Sequence, residues 1–102
     1  MKYEIWQLKK ENFKAYGFMD YDWAKAHGFN IDDYEKTYEG LIAGGSLENS
    51  QGNVYEKHLD NLFIKFNVHR PEDFRGHSLS TSDIIVLNGK MFYCNSIGWK
   101  EI

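Results

Sequence analysis

Ile84-Ile85-Val86-Leu87 runs directly into Asn88-Gly89 and then, one lysine later, into Met91-Phe92-Tyr93-Cys94. No other stretch restricts the fold so tightly. Asn-Gly is the pair that most readily takes the two left-handed positions of a two-residue hairpin turn, and apolar runs on either side supply its strands. The chain is thereby committed to an antiparallel pair near its C-terminus. Asn95, Ser96 and Gly98 predict a bend or bulge, after which Trp99-Lys100-Glu101-Ile102 reads as a further short strand or an extended tail.

A hairpin this apolar needs a covering layer, and the sequence offers one. Asn53-x-x-Glu56 resembles a capping box, and Tyr55, Leu59, Leu62, Phe63 and Phe66 follow at helical spacing. Glu56, Lys57, Asp60, Asn61 and Lys65 take the opposite side, and Asn67 is the expected stop. Packing on a sheet is the ordinary fate of such a stripe.

Toward the N-terminus, Tyr3-Glu4-Ile5-Trp6-Gln7-Leu8 predicts a strand with Lys9-Lys10-Glu11-Asn12 as its polar exit. Phe13 to Gly17 is either a helical turn or an irregular link. Asp20 is placed to cap a short helix from about Tyr21 to His27, with Gly28 as its left-handed stop. Asn30 to Asp33 is turn-like. Tyr34, Lys36 and Tyr38 then fall on one expected strand face, with Glu35, Thr37 and Glu39 on the other. Gly40 interrupts, and Leu41-Ile42-Ala43 continues the strand. Gly44 to Gly52 has the composition of an exposed loop. The expected architecture is α+β: a small, mostly antiparallel sheet with one long and one short helix and a C-terminal β-hairpin, in a single domain over 1–102.

Composition narrows the function. At 102 residues the chain can bury a core without metals or disulfides. A formal net charge of -3 argues against binding driven by phosphate neutralisation, so no nucleic acid is expected. The residues from Asp20 to Glu39 are locally acidic, which reads as a solvated face or a contact for a basic partner. Cys94 is the single cysteine, so neither a disulfide nor a cysteine zinc site follows. No apolar run reaches the length of a membrane span or a signal peptide, and a soluble cytoplasmic protein with no membrane association is the expectation.

The densest chemistry lies in Asp73-Phe74-Arg75-Gly76-His77-Ser78-Leu79-Ser80-Thr81-Ser82-Asp83, after the only proline, Pro71. All residue types of a catalytic triad occur there, but neighbours in sequence rarely supply the required geometry, and no G-x-S-x-G turn is present. His69, Asp73 and His77 are spaced so that a loop could gather them, with His58 on the preceding helix, but no H-E-x-x-H, C-x-x-C or EF-hand spacing occurs. Ala43-Gly44-Gly45-Ser46 lacks the lysine of a phosphate-binding loop. No catalytic residue, metal or cofactor is therefore expected. The stretch reads as a structured connector and recognition loop. Arg75 either grips a partner carboxylate or pairs with Asp73 or Asp83, and His77 satisfies a backbone carbonyl; the internal roles are favoured. Gly76 between them permits a backbone that other residues resist.

Several of these segments together resemble the YodL-like domain family of small bacterial and mobile-element-associated proteins. They are Tyr3 to Leu8, Phe18 to Trp23, Tyr34 to Gly40, Lys65 to Asn67, Arg70 to Asp83, and Tyr93-Cys94-Asn95-Ser96-Ile97-Gly98-Trp99. The resemblance implies a non-catalytic module without a cofactor. Asn95 stands where the family pattern leads one to expect aspartate.

The functional expectation is an interaction module that binds another protein stoichiometrically and modulates a host protein, in a mobile-element or anti-defence context suggested by the resemblance. High aromatic content, 17% of residues, supports an aromatic contact surface. The candidate recognition residues are Trp23, Tyr34, Tyr38, Arg75, His77 and Trp99. The alternative is a small hydrolase or ligand-binding domain centred on Asp73, His77 and Ser78.

Overall fold

The computed structural model describes residues 2–42 and 54–102. Five strands, β1 (Lys2–Leu8), β2 (Tyr34–Leu41), β3 (Ile84–Leu87), β4 (Lys90–Cys94) and β5 (Trp99–Glu101), form one sheet in the order β2-β1-β3-β4-β5. Every neighbouring pair is antiparallel. The α+β expectation and the C-terminal hairpin are both present. Asn88 and Gly89 take φ of 53° and 80°, the two left-handed positions that the Asn-Gly turn demands.

Alternation along the strands divides the core between two faces. Tyr3, Ile5, Ile85, Leu87 and Phe92 meet Leu59, Leu62 and Phe66 of the long helix α3 (Val54–Val68). Leu8, Tyr34, Ile84 and Tyr93 face the other way and are covered by Tyr16 and Ala24. Those two belong to α1 (Phe13–Tyr16) and α2 (Tyr21–Ala26), so the link from Phe13 is a helical turn and there are two short helices where one was expected. The polar exit from β1 takes the form of a 3₁₀ turn, Lys10–Asn12. Gly28 takes the left-handed conformation, φ 91°, that ends α2. The capping position Asn53 and the Gly44–Gly52 loop lie outside the described residues.

The strand β2 departs from the simple alternation. Ile5 pairs with Tyr38 and Trp6 with Lys36, which leaves Thr37 bulged out of the backbone register, its hydroxyl donating to the Ile5 carbonyl at 3.4 Å. The extra residue reverses the parity of the strand. Tyr34 therefore joins the α1–α2 side while Tyr38 packs against the α3 side, not on one shared face as alternation alone predicts. Gly40 does not interrupt β2. It lies beneath the Tyr3 ring, where an added Cβ would come within 2.7 Å of the tyrosine hydroxyl.

Capping of α2 also differs from expectation. The Asp20 side chain does not cap its own helix. Instead the Tyr21 N–H donates to Asn95 Oδ1 at 2.8 Å, across 74 residues of chain. Asp20 accepts from the Ser96 N–H at 2.6 Å and from the Ser96 hydroxyl at 3.1 Å. The helix start and the β4–β5 turn are thus tied to each other.

Candidate functional site at one end of the sheet

The Asp73–Asp83 segment crosses one end of the sheet as a band, from the β2 edge to β5. At the β2 edge the Tyr38 hydroxyl donates to Asp73 Oδ1 at 3.2 Å. Phe74 then turns inward with ring centroids 4.8 Å from Phe66 and 6.0 Å from Tyr38. Gly76 passes so close to β1 that an added Cβ would stand 2.0 Å from Gln7 Oε1. Its φ is not left-handed, so close approach rather than backbone freedom explains the glycine.

Gln7 is the centre of the band's attachment. Its side chain is 1% exposed, and its amide N–H groups donate to the His77 carbonyl at 2.8 Å and to Asp83 Oδ2 at 3.1 Å. The Ser80 N–H donates to the same Asp83 oxygen at 2.9 Å. Beyond it, the Ser82 and Cys94 backbones exchange bonds with Cys94 and Asp83, continuing the sheet pattern. Ser82 holds φ at 86°, a strained value for a residue with a side chain. Its hydroxyl accepts from the Phe18 N–H and its carbonyl accepts from the Tyr34 hydroxyl, which together hold that conformation.

Electrostatics follow from burial. Asp83 is 1% exposed, and loss of water raises its carboxyl to about 6 in spite of the bonds from Gln7 and Ser80 and the nearby His77 ring. Its Oδ1 has no hydrogen-bond partner and faces His77 Nε2 at 3.9 Å. Burial pushes the Cys94 thiol up to about 12, which removes it from thiolate chemistry at neutral pH.

The predicted site residues separate into two groups. Tyr34 is a core residue, 3% exposed with its hydroxyl bonded inward, and it offers no contact surface. The bulge is the cause, because it carries Tyr34 beneath α1 and α2. His77 does satisfy a backbone carbonyl: Nδ1 donates to Ser78 O at 2.8 Å. Arg75 does not take the favoured internal role, since it pairs with neither Asp73 nor Asp83 and remains exposed. Tyr38 is half-buried in the ring cluster. Trp23 is 38% exposed and stacks on His27 at 3.6 Å, on α2.

Trp99 marks the β5 side of the band. Its indole N–H donates to Asp60 at 3.0 Å, and its ring meets Phe63 edge-on. These residues, with Thr81, Cys94 and Ser96, line a groove of about 200 Å³. Beside it rises the Asn95–Gly98 turn, closed by an Asn95 N–H to Gly98 carbonyl bond of 3.0 Å. Its Ile97 is 92% exposed. Sequence reasoning passed over Ile97; the available signal was a large apolar residue inside an otherwise polar turn.

Several chemistries find no constellation. None of the Ser78, Ser80 and Ser82 hydroxyls is hydrogen-bonded to His77. Among the described residues, no group of three or more His, Cys, Asp and Glu side chains is placed to hold a metal. No described helix is long and apolar enough to cross a membrane.

No curated protein and no solved structure matches the chain. The family model of the YodL-like domain does, over residues 2–102, which takes in every strand and helix described above. The chain belongs to the YodL-like domain family.

Proposed function

We propose that the chain is a non-catalytic module that binds another protein stoichiometrically through the banded end of its sheet. The observation that carries this reading is Ile97. A large apolar side chain left almost wholly in water usually sits on a loose segment, but this one is held on a short turn braced by Asp20, Tyr21 and Asn95. An anchor already fixed in place loses little entropy on binding. The adjoining Trp99–Phe63 groove supplies the aromatic surround in which interface energy concentrates. A hydrolase centred on Asp73, His77 and Ser78 has less support, because Asp73 is engaged by Tyr38 and His77 by its neighbour's carbonyl. The setting we assign is the bacterial cytoplasm, where the module modulates a host protein, in its narrowest form within a mobile-element or anti-defence context.

The test is affinity capture from host cytosol with the wild type, Ile97→Asp, and Ile31→Asp as a surface control. One protein should be retained at a fixed ratio by the wild type and the control and lost with Ile97→Asp, at unchanged thermal stability. Capture indifferent to Ile97→Asp, or no saturable capture, would overturn the reading.

A further inference from the structure

On the opposite flank of the band, between β1, β2 and Gly76, lies a cleft of about 270 Å³. It is walled by Lys10 from the 3₁₀ turn, Arg75 and His77 from the band, and Glu35 from β2, with Gln7 behind. Neither Lys10 nor Arg75 forms an ion pair or side-chain hydrogen bond among the described residues, although the chain is net acidic. Glu35 is equally without a cation among the described residues. The buried Gln7 uses both amide hydrogens inward, and its Oε1 is left without a donor. Two unpaired cations and one unpaired carboxylate thus border one small space, and the unsatisfied Gln7 Oε1 is buried beneath it against Gly76. Buried polar atoms without partners are rare enough in folded proteins to require an explanation.

We propose that this cleft is a binding site for an α-amino or α-amido carboxylate: the end of a peptide chain or a free amino acid. The carboxylate meets Arg75, whose planar guanidinium suits two-point binding, and Lys10. The adjoining N–H or ammonium meets the Glu35 carboxylate. The volume lies just below the range of drug-sized pockets and suits about one residue. Net positive charge at the rim selects the ionised acid over its amide. The site is separate from the Ile97 turn, so it stands whether or not that turn is a protein-binding anchor.

The experiment is an NMR titration of ¹⁵N-labelled protein with alanine, with N-acetyl-trialanine carrying a free carboxyl, and with the same peptide amidated. Saturable shifts of the Gln7 side-chain amide and of Gly76 are expected with the free carboxyl. The amidated peptide should bind at least about tenfold more weakly, as should Arg75→Gln and Lys10→Gln with the free acid, each having lost a charge-assisted bond. Ile97→Asp should titrate as the wild type does. Alanine binding as tightly as the peptide assigns the site to free amino acids, and peptide binding alone assigns it to chain ends. Equal binding of acid and amide, unchanged affinity in both cation variants, or no saturable shift with any probe would overturn the proposal.

Discussion

The α3 face of the sheet buries mainly aliphatic side chains and phenyl rings, and Tyr3 is the one buried member of that described cluster with a side-chain polar atom. The opposite face buries three tyrosines, and each hydroxyl reaches out of the core to a connecting segment. Tyr16 donates to Asp33 at 2.8 Å, Tyr93 to the Met19 carbonyl at 2.6 Å, and Tyr34 to the Ser82 carbonyl. Burial raises the hydroxyls of Tyr16, Tyr34 and Tyr93 above the ordinary phenol range, so these groups remain donors at any physiological pH. The first face is held by area removed from water, which is non-directional. The second adds directional bonds that place loops. The difference explains how a small domain can hold an exposed turn and a polar band in register at one end of its sheet.

The largest effect should come from the apolar face. Phe66 is fully buried and meets the rings of Tyr3, Tyr38 and Phe74. Phe66→Ala is expected to cost about 3–5 kcal/mol in urea unfolding, the usual range for emptying a ring-sized site. A loss below about 1 kcal/mol would mean that α3 is not the main cover of that face.

On the opposite face, Tyr34→Phe keeps the ring and removes only a donor, leaving the Ser82 carbonyl unpaired. A loss of up to about 3 kcal/mol is expected, with raised mobility of residues 80–83 in amide exchange. Tyr3→Phe is the control and should cost much less. Equal losses at both positions would erase the distinction between the faces.

Asp83 gives the comparison a pH dependence. Its folded carboxyl is raised to about 6, against about 3.9 in an unfolded chain. The folded state therefore binds the proton more tightly. Its contribution is most favourable below about pH 4 and is lost as pH rises through 6, amounting to about 3 kcal/mol at neutral pH. Asp83→Asn retains an oxygen for Gln7 and Ser80 and places an N–H₂ where Oδ1 now faces His77. It should be more stable than the wild type at pH 8, with the pH 4–6 slope flattened. A destabilised variant with the slope intact would contradict the assignment of Asp83 as a buried, poorly satisfied acid.

Smallest is Arg75→Ala. An exposed side chain without a partner should change stability by less than about 0.5 kcal/mol. A larger loss would restore Arg75 to an internal role.

The legibility of these regions in the sequence follows the same division. The hairpin at Asn88-Gly89 and the α3 stripe were readable because turn chemistry and helical period are local. So was His77 bonding a carbonyl. Tyr34 was misplaced because one bulged residue, Thr37, inverts a strand's parity and leaves no mark in the sequence. Asn95 capping a helix 74 residues away was equally hidden. Its amide oxygen accepts as an aspartate oxygen would, so the cap needs no carboxylate. Gln7 looked like an ordinary strand residue; only the fold brings it to His77 and Asp83.

The most direct test of recognition through the sheet end is photo-crosslinking in host cytosol. A benzophenone amino acid is placed at position 97 in one variant and at position 31, on the short 3₁₀ turn Ile31–Asp33 that precedes β2, in another. Position 97 should give a single discrete adduct, competed by excess unlabelled wild type, and position 31 none. Equal or uncompeted labelling from both positions would contradict recognition through the sheet end.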